Sequence, residues 1–181
     1  MTPAQLTLFK SDIIARFGAN PLESTVATYY NAVGNADAWN SHTPVDAVFN
    51  AITWTNFTPV DVPDTTALFT NRLMVINVKQ MNLQNILVGR DFIDASKVNV
   101  RAGLRDCVIA LPAGALGAAV SAGGASGATV LTACLRKCNA LELLLTTGTQ
   151  VTGTVTAHVL GFEGTTNPQQ ISDLLGGLLG V

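Results

Sequence analysis

Apolar side chains recur at helical spacing through the first third of the chain. The first series has four members: Leu6, Phe9, Ile13 and Phe17. It follows the capping pair Thr2–Pro3 and stops at Gly18, which is typical of one complete helix. Similar spacing recurs over residues 22–33 and, more briefly, over residues 44–52. The pattern predicts a helical hairpin, a loop at residues 35–43 and a third, short helix.

Two longer helical patterns follow in the middle of the chain. From Ala67 to about Val88 the apolar residues are nearly continuous, which predicts a helix buried on more than one face. Residues 91–111 separate an apolar side from a polar one, which predicts an amphipathic helix. Its polar side carries a basic stripe whose members lie four residues apart and so share one helix face: Lys97, Arg101 and Arg105.

The last third of the chain is richer in glycine and threonine. Pro112 and five glycines between Gly114 and Gly127 predict a flexible loop at about residues 113–128. Helix-forming residues resume over residues 129–145, and near-alternation of valine and threonine over residues 150–162 predicts a strand or hairpin. The predicted fold class is mainly α, a small helical domain with a minor β-strand or hairpin near the C-terminus and an extended C-terminal tail.

A chain of 181 residues can form one domain with a sizeable core. We predict a single domain over residues 1–162 and a C-terminal tail or docking segment over residues 163–181. The tail carries five apolar residues: Ile171, Leu174, Leu175, Leu178 and Leu179. Docking of this tail into a partner's groove and packing on its own domain both remain open.

Charged residues are scarce, at 12% of the chain against 48% hydrophobic residues. Globular domains usually have about a quarter charged residues, so much of this surface is expected to be polar but uncharged, or to be covered by a partner or by further copies of the chain. The net charge of −2 gives no general attraction to nucleic acid or to an anionic membrane. The basic stripe is the one candidate for phosphate contact, with a solvated or salt-bridged helix face as the alternative.

The candidate chemical groups favour structural roles. Three cysteines are an odd number, which indicates a reducing compartment rather than a disulfide framework. Cys134 and Cys138 could share one helix face, but only Cys107, His42 and His158 remain to complete a zinc site, so buried free thiols are the better interpretation. We therefore predict no metal and no cofactor.

Two carboxylate pairs could in principle perform acid–base work: Asp61 with Asp64, and Asp91 with Asp94. The first pair lies among prolines, where Asp forms turns, and the second lies where a helix begins. Neither the G-x-S-x-G turn nor the phosphate-binding G-x-x-x-x-G-K-[ST] loop occurs. The uncharged span 107–135 contains too much glycine to cross a membrane well. We expect neither an enzyme nor a membrane protein.

Several distinctive segments recur together in one group of proteins. They are TPAQL near the N-terminus, VDAVFNAITWTNFTPVDVPD, KQMNLQNILVGR, A-x-K-x-N-x-RAGLRD and the late LLTTGT and FEG. Through these segments together, the chain resembles structural proteins of the head-to-tail adaptor, or connector, type from tailed bacteriophages. The resemblance spans most of the chain, although no single interface residue can be carried over from it.

This resemblance implies a non-enzymatic virion protein that is assembled in the host cytoplasm. The partners that it implies are further copies of the chain in a twelve-membered ring, the portal protein and tail proteins, with non-specific contact to packaged DNA through the basic stripe. A capsid-decorating or tail-terminating protein is the alternative within the virion. A DNA-binding accessory protein is the alternative outside it, and it would depend on the same basic stripe.

Overall fold

The computed structural model describes residues 1–57, 67–108 and 127–176. The elements in chain order are α1 (Pro3–Phe17), α2 (Glu23–Asn31), β1 (Val33–Trp39), β2 (Thr43–Pro44), α3 (Val45–Asn50), a 3₁₀ turn (Trp54–Phe57), α4 (Ala67–Leu87), β3 (Phe92–Ile93), α5 (Val98–Val108), α6 (Gly127–Ala133), β4 (Leu135–Asn139), α7 (Ala140–Leu144), β5 (Thr146–Thr152), β6 (Val155–Leu160) and α8 (Pro168–Leu175). Nearly all of the flexible loop predicted at about residues 113–128 lies outside the described residues.

The chain divides into two compact units. Unit 1 comprises Met1–Ala38, Arg136–Gln150 and Ala157–Val181. Unit 2 comprises Trp39–Leu135 and Val151–Thr156. Each unit therefore combines segments that are remote in sequence, and residues 163–176, predicted to be part of a tail, lie within unit 1.

The first helix of unit 1 forms as its capping residues predict. The Thr2 side chain accepts a hydrogen bond from the Gln5 amide, and the Gln5 side chain accepts one from the Thr2 amide. The helix ends at Gly18, whose φ of +83° is a conformation that residues with a Cβ atom rarely adopt. The prediction of this helix is confirmed.

The predicted fold class is wrong, because a four-stranded mixed sheet with strands spread through the chain replaces the small helical domain with a C-terminal hairpin. The strand order is β4–β1–β6–β5, and β1 runs parallel to β6 with Ala38 opposite His158. The strands near residues 150–162 are confirmed as β5 and β6. The segment predicted as a loop at residues 35–43 instead contains most of β1, and the single helix predicted over residues 129–145 is divided into α6, β4 and α7.

These errors have a common physical cause. Neither VGNADAW of β1 nor LRKCN of β4 shows the alternation of apolar and polar residues that is typical of a strand. Their backbones are paired with strands far away in sequence, and such pairing overrides local preference. Close approach of the two strands is visible at Gly34, where a Cβ atom would lie 3.4 Å from the Cys138 carbonyl oxygen.

The C-terminal segment is a helix rather than an extended tail. Asn167 caps α8 by accepting a hydrogen bond from the Gln170 amide, and Pro168 occupies the first turn. The helix packs against α1 and α2. Its buried side chains join the core of unit 1, whose buried members are Phe9, Ile13, Val26, Ala27, Tyr30, Leu141, Leu145, Ile171 and Leu174.

Unit 2 is built around α4, α5 and α6. The helix α5 packs against both α4 and α6, and the short strands β2 and β3 pair antiparallel, with Thr43 opposite Ile93. The predicted helices at residues 44–52 and 67–88 are confirmed as α3 and α4, whereas α5 is shorter than predicted. The core of this unit includes Trp39, Val48, Ile76, Leu83, Leu104, Val108, Val130 and Leu131.

Candidate functional site

The helix α4 has two apolar faces, of which only one is buried. Its inner face packs into unit 2 through Ile76, Leu83 and Leu87, which are at most 5% exposed. The opposite face carries what we call the outer stripe, namely Met74, Val78, Met81 and Val88, whose exposed fractions are 59%, 53%, 59% and 72%. Val88 directly follows the helix and continues its geometry, since its amide donates to the Gln84 carbonyl oxygen at 2.7 Å. Large exposed apolar side chains aligned on one helix face are typical of an interaction site.

An apolar groove lies at the C-terminal end of the outer stripe. We call it the aromatic groove; it has a volume of about 340 Å³ and is lined by Val45, Phe49, Trp54, Gln84, Leu87 and Val88. The Phe49 and Trp54 ring centroids are 4.6 Å apart, and the Trp54 indole N–H donates to the Phe49 carbonyl oxygen at 3.2 Å. The outer stripe and the aromatic groove share Val88, so they adjoin on unit 2.

The central member of the predicted basic stripe is buried. Arg101 is 0% exposed, and its guanidinium lies 4.3 Å from the centroid of the Trp39 ring. Its Nη1 donates to the carbonyl oxygens of Ala95 and Ser96, both at 2.7 Å, and its Nε donates to Thr152 Oγ1 at 3.0 Å. Burial lowers the pKa of this guanidinium from its usual range. Arg101 thus ties α5 to the loop before it and to the end of β5 within unit 2.

The other two members of the basic stripe remain partly exposed. Lys97 keeps 66% of its side-chain surface and lies 3.9 Å from an Asp94 oxygen, and Arg105 keeps 38% and lies 3.6 Å from an Asp106 oxygen. The structure therefore does not bring Lys97, Arg101 and Arg105 together on one exposed face. The signal that could have placed Arg101 is its position three residues before Leu104 and seven before Val108, on the apolar side of the helix.

Three of the five apolar residues of the predicted docking tail lie in α8. Ile171 and Leu174 are 0% and 1% exposed in the core of unit 1, and Leu175 packs against that core while remaining half-buried. Leu178 and Leu179 lie outside the described residues. Packing on the chain itself, one of the two interpretations left open by the sequence, therefore accounts for Ile171 and Leu174.

The cysteines behave as buried thiols. Cys134 follows α6 and Cys138 lies in β4, so they do not share a helix face. Burial raises the pKa of Cys134 to about 12, and it also raises the pKa of Cys107 and of Cys138. Among the described residues, no group of three or more metal-binding side chains is assembled.

The structure describes some, but not all, of the remaining candidate aspartates and histidines. Asp61 and Asp64 lie outside the described residues. Asp94 accepts a hydrogen bond from the Ser96 amide at 3.0 Å, a turn-forming contact just before α5. His42 lies within hydrogen-bonding distance of Ser41, at 2.7 Å, and His158 lies in β6. In the described parts of the chain, no helix combines the length and the apolar character needed to cross a bilayer.

Comparison with known proteins adds no relative to this description. No protein-family model, no curated protein and no solved structure matches the chain. The outer stripe and the aromatic groove therefore stand as the candidate functional surface on their own geometry. Sequence reasoning missed this surface because it expected α4 to be buried on more than one face, although the spacing of the outer stripe was present in the sequence.

Proposed function

We propose that the chain is a structural subunit of a tailed-bacteriophage particle, an oligomeric head-to-tail adaptor that joins the portal to the tail. The observation that carries the assembly role is the exposed apolar surface of unit 2, formed by the outer stripe and the aromatic groove. Removing such a surface from water is favourable, and a partner subunit is the means by which a virion protein achieves this. The resemblance described above supplies the place in the particle.

The proposed partners are further copies of the chain, in a ring that the resemblance predicts to hold twelve, together with the portal protein and tail proteins. The proposed location is the virion, after assembly in the host cytoplasm, and the role requires no catalytic activity. Contact with packaged DNA would fall to Lys97 and Arg105, which retain exposed surface. The burial of Arg101 removes the central cation on which a DNA-binding accessory role would depend.

The direct test mixes the purified full chain with portal rings and measures mass and images of the product. We expect a ring of this chain bound coaxially to the portal, and its presence at the head-to-tail junction of intact particles. A location on the capsid surface or at the far end of the tail would replace the adaptor role with a decorating or tail-terminating one. A chain that ignores the portal and is absent from virions would reject the proposal.

A further inference from the structure

The outer stripe has the spacing of a helix that pairs with another helix. Val78 follows Met74 by four residues, Met81 follows Val78 by three, and Val88 follows Met81 by seven. Asn85, which is exposed, occupies the remaining position of this heptad series, four residues after Met81. A 4–3 alternation of apolar positions is the pattern with which two helices interlock side chains along a shared seam. A surface helix of a globular unit needs only its inner apolar face, so a second, heptad-spaced face indicates a helical partner.

The positions of α4 that flank the outer stripe carry no charge, and the charged residues nearby, Arg90, Asp94 and Asp106, line the grooves beside Asn85 from neighbouring elements. Between Leu73 and Val88 the sole charged residue is Lys79, which is half-buried on the inner side and donates a hydrogen bond to the Asp106 carbonyl oxygen. The positions that flank the stripe are Val75, Asn77, Asn82 and Gln84. In paired helices these flanking positions select the partner by charge, and like charges there keep identical helices apart. The flanking positions of two α4 helices therefore meet no such repulsion.

Asn85 identifies the partner more closely. A carboxamide carries both a donor and an acceptor, so two carboxamides that face each other satisfy one another. An asparagine in the seam of a two-stranded parallel pair fixes the register in this way, at some cost in stability. A different apolar helix would leave the Asn85 carboxamide buried without a partner, which is unfavourable.

We propose that the outer stripe is the contact between two copies of this chain, whose α4 helices pair in parallel and in register. The Asn85 side chains of the two copies then hydrogen-bond to each other at the centre of the C-terminal half of the seam. Met74, Val78, Met81 and Val88 form the apolar layers on either side.

The helix is already formed before it pairs, because its inner face is held in unit 2 through Ile76, Leu83 and Leu87. Pairing therefore does not bear the cost of ordering a helix, which limits the affinity of short isolated coiled coils. The seam from Met74 to Val88 is roughly 21 Å long at the usual rise of an α-helix. The aromatic groove, which meets the stripe at Val88, extends the apolar surface beyond the helix.

The inference deepens the proposed function and rests on it in one respect. Both require copies of the chain to bind one another. A parallel pair has a two-fold axis and closes at two copies, so the predicted ring needs a second, different contact. The pairing can be tested on the purified chain alone, whereas the adaptor role is tested on the particle. A chain that pairs but is absent from virions, or one that occupies virions without pairing, separates the two.

The first test measures the mass of the full chain in solution over a series of concentrations. We expect the wild type to reach twice the 18.9 kDa of one chain, and Met81→Glu to remain a single chain. The matched control is Leu8→Glu, which places the same charge on an exposed apolar residue of α1, 46% exposed and outside the stripe. It should pair like the wild type. Circular dichroism confirms that both variants are folded. A wild type that stays a single chain, or equal behaviour of the two folded variants, overturns the proposal.

The second test measures direction and register. Asn85→Cys and, in a separate variant, Met74→Cys should each form a disulfide between two copies under mild oxidation, because both positions face their own counterparts only in a parallel, in-register pair. Leu8→Cys is the control and should stay unlinked. The native cysteines Cys107, Cys134 and Cys138 are buried and should not compete. Efficient linkage through Asn85→Cys supports the pairing. Its failure in a chain that still has the mass of two copies overturns the parallel register.

Discussion

The helices α8 and α4 both carry apolar residues at helical spacing, yet they use them in opposite ways. Ile171 and Leu174 of α8 are at most 1% exposed, because α1 and α2 cover them. Val78 and Met81 of α4 are 53% and 59% exposed. The segment for which docking on a partner and packing on the chain itself were both open thus completes its own unit, and the helix expected to be buried on more than one face presents an uncovered one. Apolar spacing identifies the face that avoids water but not the molecule that covers it.

The largest expected effect tests the covered helix. Leu174→Ala removes a fully buried side chain from the core of unit 1 and leaves a cavity, so we expect a loss of about 3–4 kcal/mol in the free energy of unfolding. Urea denaturation of the full chain measures it. The control is Leu8→Ala, which alters an exposed residue of α1 and should change the value by less than about 0.5 kcal/mol. Similar small losses for both variants would mean that α8 does not pack as described.

A somewhat smaller effect is expected at Arg101, which was predicted to lie on the exposed basic stripe and is buried instead. Arg101→Ala removes the cation over the Trp39 ring and leaves the Ala95 and Ser96 carbonyl oxygens without this donor. We expect a loss of about 3 kcal/mol, since unpaired buried polar groups are costly. Lys97→Ala, one residue before α5, is the matched control, and its exposed ion pair should contribute no more than about 0.5 kcal/mol.

Equal losses in Arg101→Ala and Lys97→Ala would contradict the burial of Arg101. If both variants were near the wild type in stability, α5 would present a common basic face after all. The comparison would then change, since a stripe of three exposed cations would be a second candidate surface beside the outer stripe of α4.

The sequence predicted those elements whose signals are local. Thr2, Pro3 and Gly18 mark the ends of α1, and the run of apolar residues from Ala67 marks α4. The strands β1 and β4 could not be predicted in this way, because the backbone groups that pair with them lie far away in the sequence. The residues of the outer stripe could have been grouped from the sequence, since they follow a heptad pattern. Spacing alone, however, does not distinguish a covered helix face from an uncovered one.

The smallest expected effect tests whether the outer face of α4 is exposed in a single chain. At a protein concentration low enough to keep copies apart, Met81→Ala should change the free energy of unfolding by less than about 0.5 kcal/mol, because the side chain already contacts water. Ile76→Ala, on the inner face of the same helix, should cost about 2–4 kcal/mol under the same conditions. At concentrations where two copies pair, Met81→Ala should become destabilising as well, since binding adds to the stability of the folded state by mass action. A loss in Met81→Ala that is as large as that of Ile76→Ala and independent of concentration would mean that the outer face of α4 is covered within a single chain, so that α4 and α8 would no longer differ.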